Sequence, residues 1–140
     1  MIPSPPDPRS PIQHRAPILC VDRILAGDAE GASAEHLVQP GPHVDGGSMW
    51  ESGLIEGLAQ TAAVIQGSLG DSGESAAGVG MLVGVRKFHV ERRPRVGELV
   101  TWRVDVLRRL GPFLLTQGEA RVADELIARG EFKFYWEVEA

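Results

Sequence analysis

The chain has 140 residues, of which 43% are hydrophobic and 24% are charged. These proportions and this length are typical of one globular domain and argue against a chain that is disordered throughout. The formal net charge of −5 argues against general nucleic-acid binding, which needs a positive surface. The single cysteine, Cys20, excludes an intramolecular disulfide and a cysteine-rich metal site.

The first thirteen residues hold five of the ten prolines. Proline fixes φ and removes a backbone donor, so residues 1–13 are predicted to form an N-terminal arm, followed by a single domain over 14–140. The arm lacks the pattern of a signal peptide, and no stretch reaches the roughly 18–20 apolar residues of a membrane span. These features predict a cytoplasmic protein.

Two strands and a loop are predicted before the middle of the chain. Residues 17–25 form an apolar strand, residues 27–28 a turn, and residues 31–39 the second strand of a hairpin. Cys20 then lies in mid-strand as a buried, inert thiol. Residues 40–49 are predicted to be a loop because of their glycine and proline content.

One strong helix is predicted, from Trp50 to Leu69. Its apolar stripe has helical spacing and consists of Leu54, Leu58, Thr61, Ala62 and Ile65. The opposite side carries small residues, and a helix that is apolar nearly all round is normally buried.

Four long antiparallel strands are predicted after the helix, because the apolar period changes to two. The first spans 79–90, with a bulge near Arg86 where the alternation slips. The last two are joined by a tight turn at residues 123–124. The predicted inward positions are Val100, Trp102, Val104 and Val106; Leu114, Thr116, Gly118, Ala120 and Val122; and Leu126, Ala128, Gly130, Phe132, Phe134, Trp136 and Val138.

This order of elements predicts an α+β protein with the hotdog fold, in which a long antiparallel sheet wraps around one central helix. The wrapping follows because an apolar helix needs cover on most of its sides. The open edges of such a sheet favour edge-to-edge dimerisation.

Glu56 and His43 are the candidate catalytic residues. A carboxyl group amid buried residues is costly unless it is paired or protonated, which suits a general acid, and Gln60, one helical turn later, could orient it. The alternative is a structural Glu56 that reaches an arginine or solvent. His43, in the loop thirteen residues earlier, is either a catalytic base or a surface histidine. No metal-ligand motif occurs, so no metal site is predicted.

A basic segment follows the first long strand. It carries a net charge of +4 within an acidic chain and comprises Arg86, Lys87, Arg92, Arg93 and Arg95 around Glu91. Such a patch suits an acidic partner or a phosphate group. The alternative is a solvated strand end.

Three segments resemble the 3-hydroxyacyl-(acyl-carrier-protein) dehydratases of the FabA/FabZ type: HRAPILCVDRIL (14–25), GLIEGLAQTAAV (53–64) and RPRVGELVTWRVDVLRR (93–109). The resemblance implies a hotdog dimer or trimer of dimers, no cofactor, and a substrate carried on the phosphopantetheine arm of acyl carrier protein. It implies a loop histidine as base, Glu56 as acid with Gln60 orienting it, the two catalytic residues coming from different subunits, and docking of the carrier protein on the basic patch.

The loop departs from the family pattern. An alignment without gaps puts Pro42 at the histidine position, so His43 can serve only if the loop is one residue shorter. The segment from VDGG to LAQTAA resembles divergent relatives from aryl-polyene and flexirubin pigment synthesis. Three functions therefore stay open: a dehydratase acting in fatty acid or polyene synthesis, a hotdog thioesterase in which Glu56 activates water, and a non-catalytic acyl-binding subunit.

Overall fold

The structure is a computed structural model that describes residues 19–68 and 80–136, without the side chains of Gln66 and Ser68. The predicted arm, residues 1–13, lies outside the described residues. The elements are β1 (Arg23–Gly27), β2 (Gly31–Leu37), β3 (Val44–Asp45), β4 (Ser48–Met49), α1 (Glu51–Ser68), β5 (Gly80–Val90), β6 (Leu99–Leu110), β7 (Phe113–Val122) and β8 (Glu125–Trp136). Within this part of the chain, no helix is long and apolar enough to cross a membrane.

Six of the strands form one sheet in the order β1-β2-β6-β7-β8-β5, and every neighbouring pair is antiparallel. The helix α1 packs against the inner face of this sheet, mainly on β2 and β6. Strands β3 and β4 form a separate small hairpin. The predicted α+β architecture, a long antiparallel sheet around one helix, is confirmed.

The predicted apolar stripe of α1 is the centre of the core. All five of its residues are 0% exposed, and the hydroxyl of Thr61 is satisfied by donating to the Gly57 carbonyl at 2.8 Å. A Cβ atom at Gly57 would lie 2.1 Å from Cζ2 of Trp102. The helix can approach β6 this closely only because residue 57 has no side chain.

The inner faces of β6, β7 and β8 follow the predicted alternation, with one exception. Leu126 was expected to face inward, but Ile127 takes the buried position beside Ala128. The cause is a register shift: Ala120 pairs with Ala128 whereas Arg121 pairs with Leu126, so Ile127 is an extra residue in β8. Val138 lies outside the described residues.

The turn predicted at residues 123–124 is present, whereas Gly27 of the turn predicted at residues 27–28 is the last residue of β1 and pairs with Ala32. Ala123 and Asp124 both have positive φ (48° and 71°), as a two-residue hairpin turn requires. The predicted bulge in β5 is also confirmed, since the register with β8 shifts between Arg86 and His89 and Lys87 has a φ of 53°.

The strand predicted over residues 17–25 is wrong at residues 19–22, the first of its residues that the structure describes. Residues 17 and 18 lie outside the described residues, and β1 begins only at Arg23. Cys20 therefore does not lie in mid-strand. Its N–H donates to Oε1 of Gln60 at 2.7 Å, and its carbonyl accepts from Nε1 of Trp102 at 2.8 Å. Side chains satisfy this backbone in place of a neighbouring strand.

The predicted loop over 40–49 contains the β3–β4 hairpin. Val44 pairs with Met49 and Asp45 with Ser48, while Gly46 and Gly47 occupy the turn with φ of 63° and 83°. Two successive positive φ values define the tight hairpin turn for which glycine is favoured.

Candidate functional site

The 40–49 segment folds back onto the first turn of α1. The Trp50 N–H donates to the His43 carbonyl at 2.7 Å, and Nδ1 of His43 lies 3.3 Å from Oγ of Ser52. A Cβ atom at Gly53 would lie 2.6 Å from Cγ of Met49 and 2.9 Å from Cβ of His43. Gly53 therefore lets the loop and its histidine lie directly on the helix start.

Glu56 and Gln60 are joined on α1. Nε2 of Gln60 donates to Oε2 of Glu56 at 2.9 Å, while Oε1 of Gln60 accepts the N–H of Cys20 at 2.7 Å. The Cys20 N–H can only donate, so the amide oxygen of Gln60 faces it. The amide nitrogen of Gln60 therefore faces Glu56. Glu56 is half-buried, whereas Gln60 is only 2% exposed. The contact between Glu56 and Gln60 that their i, i+4 spacing predicts is present.

Cys20 lies beside this pair and is buried. Burial, together with the smaller effect of the nearby negative charges of Glu56 and Asp22, raises the pKa of the thiol to about 12. A thiol in this state is a poor nucleophile. In the described part of the chain, no group of three or more His, Cys, Asp or Glu side chains is placed to hold a metal ion.

A cavity of about 280 Å³ lies between the segment before β1, the end of β2 and the loop before β3. Its described lining residues are Leu19, Cys20, Asp22, His36, Leu37 and residues 39–44, which include both Pro42 and His43. Glu56 does not belong to this wall. Cys20, which Gln60 binds, connects the cavity to the Glu56 pair.

The cavity wall contains a carboxylate–histidine pair that the sequence analysis missed. Nδ1 of His36 lies 3.3 Å from Oδ1 of Asp22, and the Leu37 N–H donates to Oδ2 of Asp22 at 2.5 Å. The available signal was weak: His36 follows Ala32 and Ala34 at the inward period of β2. No sequence pattern near His36 indicates that Asp22, fourteen residues earlier, would contact it.

The basic residues of the predicted docking patch have different surroundings. Arg92 pairs with Glu98 at 2.9 Å and with Glu125 at 3.3 Å, and it holds the pKa of Glu98 below its usual range. The Arg93 guanidinium lies over the ring of Trp50, 4.9 Å from its centroid. The other three, Arg86, Lys87 and Arg95, are exposed. The charge of Arg92 is therefore largely neutralised locally.

Nearly the whole chain matches one protein-family model. The model of the ApeP-like family, described as ApeP dehydratase, matches residues 6–136. The chain belongs to the ApeP-like dehydratase family. The resemblance inferred from the three sequence segments is thereby confirmed, and two of those segments lie in α1 and around β6.

Known proteins are similar to this ApeP-like chain in sequence or in fold. The 3-hydroxyacyl-(acyl-carrier-protein) dehydratase FabZ of Natranaerobius thermophilus is 31% identical over 130 residues, covering 88% of this chain and 89% of that protein. The dehydratase heterocomplex ApeI:P from Xenorhabdus doucetiae superposes with a TM-score of 0.78 at 18% identity, covering 96% of this chain and 94% of the other.

A structure with a different described activity has the same fold. A hypothetical thioesterase protein with coenzyme A from Streptococcus pneumoniae has a TM-score of 0.69 at 9% identity, covering 84% of this chain and 86% of its own. At such identities these structures show the hotdog fold alone. The roles predicted for His43, Glu56, Gln60 and the basic patch stay predictions, because structural similarity does not test them.

Proposed function

We propose that this protein dehydrates a 3-hydroxyacyl thioester carried on acyl carrier protein to the trans-2-enoyl thioester, in fatty acid or polyene synthesis. One observation carries the proposal: a half-buried helix carboxyl group, Glu56, is held by the amide of Gln60, which is itself fixed by the Cys20 backbone. The FabZ relative acts on the same class of substrate by its name.

The reaction breaks a C–H bond at C2 and a C–O bond at C3, and it forms the C2–C3 double bond. Glu56 gives its proton to the departing hydroxyl, which leaves as water, and a histidine of the cavity wall takes the C2 proton. His43 is the histidine that the family resemblance puts in this role. The first turn of α1 supplies backbone N–H donors for the thioester carbonyl. The step requires no cofactor.

The proposal includes a second subunit. Within one chain, Glu56 is not among the residues that line the cavity, which fits an arrangement in which a cavity histidine of one subunit works with Glu56 of the other. Strand β5 is an edge of the sheet, and its exposed Met81 (54%) and Val83 (47%) give it an apolar surface for pairing. A dimer or trimer of dimers, or a complex with a different subunit as in the Xenorhabdus heterocomplex, would complete the site.

We propose that the acidic carrier protein docks on Arg86, Lys87, Arg93 and Arg95. The chain is acidic overall, so a local positive surface directs an acidic partner to one face. Arg93 lies against Trp50, next to the start of α1, which brings the docking surface close to the loop of His43. Arg92 contributes less, because Glu98 and Glu125 already pair with it.

A thioesterase is the second candidate, favoured by the shared fold of the Streptococcus structure. In that case Glu56 would activate water for attack on the thioester. The decisive experiment incubates the protein with a 3-hydroxyacyl carrier-protein thioester and measures products by mass. Loss of one water with the thioester intact supports the dehydratase, and free acid supports the thioesterase. No change supports the non-catalytic subunit.

Glu56→Gln should lower the dehydration rate by about 10²–10⁴-fold, the usual contribution of general acid–base catalysis. Glu51→Gln is the matched control, since Glu51 lies in the exposed first turn of the same helix. Circular dichroism should show both variants folded. A wild-type rate in Glu56→Gln would remove Glu56 from the mechanism.

A further inference from the structure

The pair formed by Asp22 and His36 has the arrangement of an oriented base. Both carboxylate oxygens of Asp22 are engaged, Oδ1 with Nδ1 of His36 and Oδ2 with the N–H of Leu37. The backbone contact fixes the carboxylate, and the fixed carboxylate in turn fixes the imidazole. The His36 side chain is only 12% exposed, so little room is left for other ring positions.

This contact assigns the tautomer of His36. An ionised carboxylate only accepts hydrogen bonds, so the ring nitrogen that faces Asp22 carries the proton. In the neutral imidazole, Nε2 then has a free lone pair and can accept a proton. A base held by a third group in this way is a recurring feature of catalytic sites.

The other described histidines lack one or more of these features. His43 lines the same cavity, but its Nδ1 faces the hydroxyl of Ser52, which can donate or accept and so does not fix the tautomer. His89 does face a carboxylate, Glu91, but both side chains are more than half exposed, at the end of the edge strand β5. Among the histidines that the structure describes, only His36 combines a place in the cavity wall, a side chain that is 12% exposed and a carboxylate partner.

We infer that His36, held by Asp22, is the catalytic residue that takes the C2 proton. This inference rests on the proposed dehydration. As the C2–H bond breaks, its electron pair forms the C2–C3 double bond and the proton moves to Nε2 of His36. The C3–O bond breaks with its pair on oxygen, and Glu56 protonates that oxygen to release water. His43 then serves to shape the loop against Gly53.

The experiment compares His36→Ala, His36→Gln and His43→Ala in the full-length protein, with His89→Gln as the control. Dehydration of the carrier-bound substrate is measured together with exchange of the C2 hydrogen in heavy water, which follows the transfer of the C2 proton. We expect both His36 variants to lose about a hundredfold or more in rate and in exchange. We expect His43→Ala to lose less than about tenfold and His89→Gln to match the wild type.

Added imidazole separates a missing base from a damaged fold. It should restore part of the activity of His36→Ala, because the truncation leaves space in the cavity, and it should not affect His36→Gln. Asp22→Asn is a second, isosteric variant. An asparagine amide can donate to Nδ1 and would shift the proton to Nε2, so activity should fall at least about tenfold without a change in fold.

Full activity and full C2 exchange in His36→Gln would overturn the inference and leave the dehydratase proposal intact. Loss of exchange in His43→Ala with rescue by imidazole would overturn it as well, because the loop histidine would then be the base. Inactivity of the wild type towards the hydroxyacyl substrate would instead contradict the proposed function, and the inference would fall with it.

Discussion

The two sides of α1 hold the helix in different ways. Towards the sheet, Leu54, Leu58 and Ile65 pack as fully buried apolar side chains. Towards the segment before β1, Gln60 makes hydrogen bonds to Glu56 and to the Cys20 backbone. The first side depends on total apolar area, which many side-chain combinations can supply. The second depends on single hydrogen bonds, and each group left without its partner is costly.

This difference matters for function. A general acid needs a fixed geometry and partial shielding from water, and both require polar groups inside the fold. Such groups are tolerated only where their hydrogen bonds are complete, and within the described residues no buried side-chain nitrogen or oxygen lacks a partner. The polar side of α1 is therefore where we expect substitutions to affect activity and stability together.

The largest effect is expected at Cys20, and it shows whether the polar side of α1 excludes water as the apolar side does. The thiol of Cys20 has its pKa raised from 9.0 to about 12. At pH 8 the thiolate, which is the reactive form, should be about a thousandfold scarcer than in the unfolded chain. Alkylation by iodoacetamide should be slower by at least that factor in the native protein.

Mass spectrometry of the time course, with the chain in urea as the control, measures this ratio. The ratio should persist between pH 7 and pH 9, because both values lie below the native pKa. A native rate within about tenfold of the unfolded rate would mean that water and reagent reach the polar side, and the contrast between the two sides would fail.

The apolar side was largely predictable from the sequence. The stripe of α1 and the inward residues of β6 to β8, such as Trp102 and Phe132, follow from periods of 3.6 and 2. The exception, Ile127, arises from one extra residue in β8. Alternation in a single strand does not show such a shift, because the shift is a property of two paired strands.

The polar side was predictable only where its contacts are local in sequence. Gln60 and Glu56, one turn apart, were correctly expected to meet. The Cys20 backbone is bound by side chains 40 and 82 residues away, so its environment was wrongly predicted as a strand. The pairing of His36 in β2 with Asp22 in the segment before β1 was missed for the same reason. Long-range hydrogen bonds leave no periodic signal.

A medium effect is expected at Gln60 itself. Gln60→Met keeps the volume but leaves the Cys20 N–H and the Glu56 carboxylate without this partner, which should cost about 1–3 kcal/mol. Urea unfolding measures the change, and the dehydration assay should show a loss of activity in the same variant. Gln117→Met, on the half-buried outer side of β7, is the control and should stay within about 0.5 kcal/mol. An equally small change at Gln60 would contradict the distinction between the sides.

The smallest effect is expected on the outer surface, where Arg92 pairs with Glu98 and Glu125. These side chains are about a third exposed or more, so solvent screens the pairs and Arg92→Met should cost no more than about 1 kcal/mol. The pKa of Glu98 is lowered, chiefly by its hydrogen bond from Arg92. A carboxyl group with a lowered native pKa stabilises the fold above its ordinary pKa, and this contribution is lost as the pH falls through the native value.

The difference in unfolding free energy between wild type and Arg92→Met should therefore be full at pH 7 and shrink steadily in acid. Added salt at pH 7 should shrink it too, because exposed charges are screened. Neither change should reduce the cost of Gln60→Met by a comparable amount, since that cost comes from buried hydrogen bonds. The opposite result would be that Arg92→Met lowers the unfolding free energy as much as Gln60→Met does, at every pH. That result would contradict the view that solvent exposure makes the surface ion pairs weaker than the hydrogen bonds on the polar side of α1.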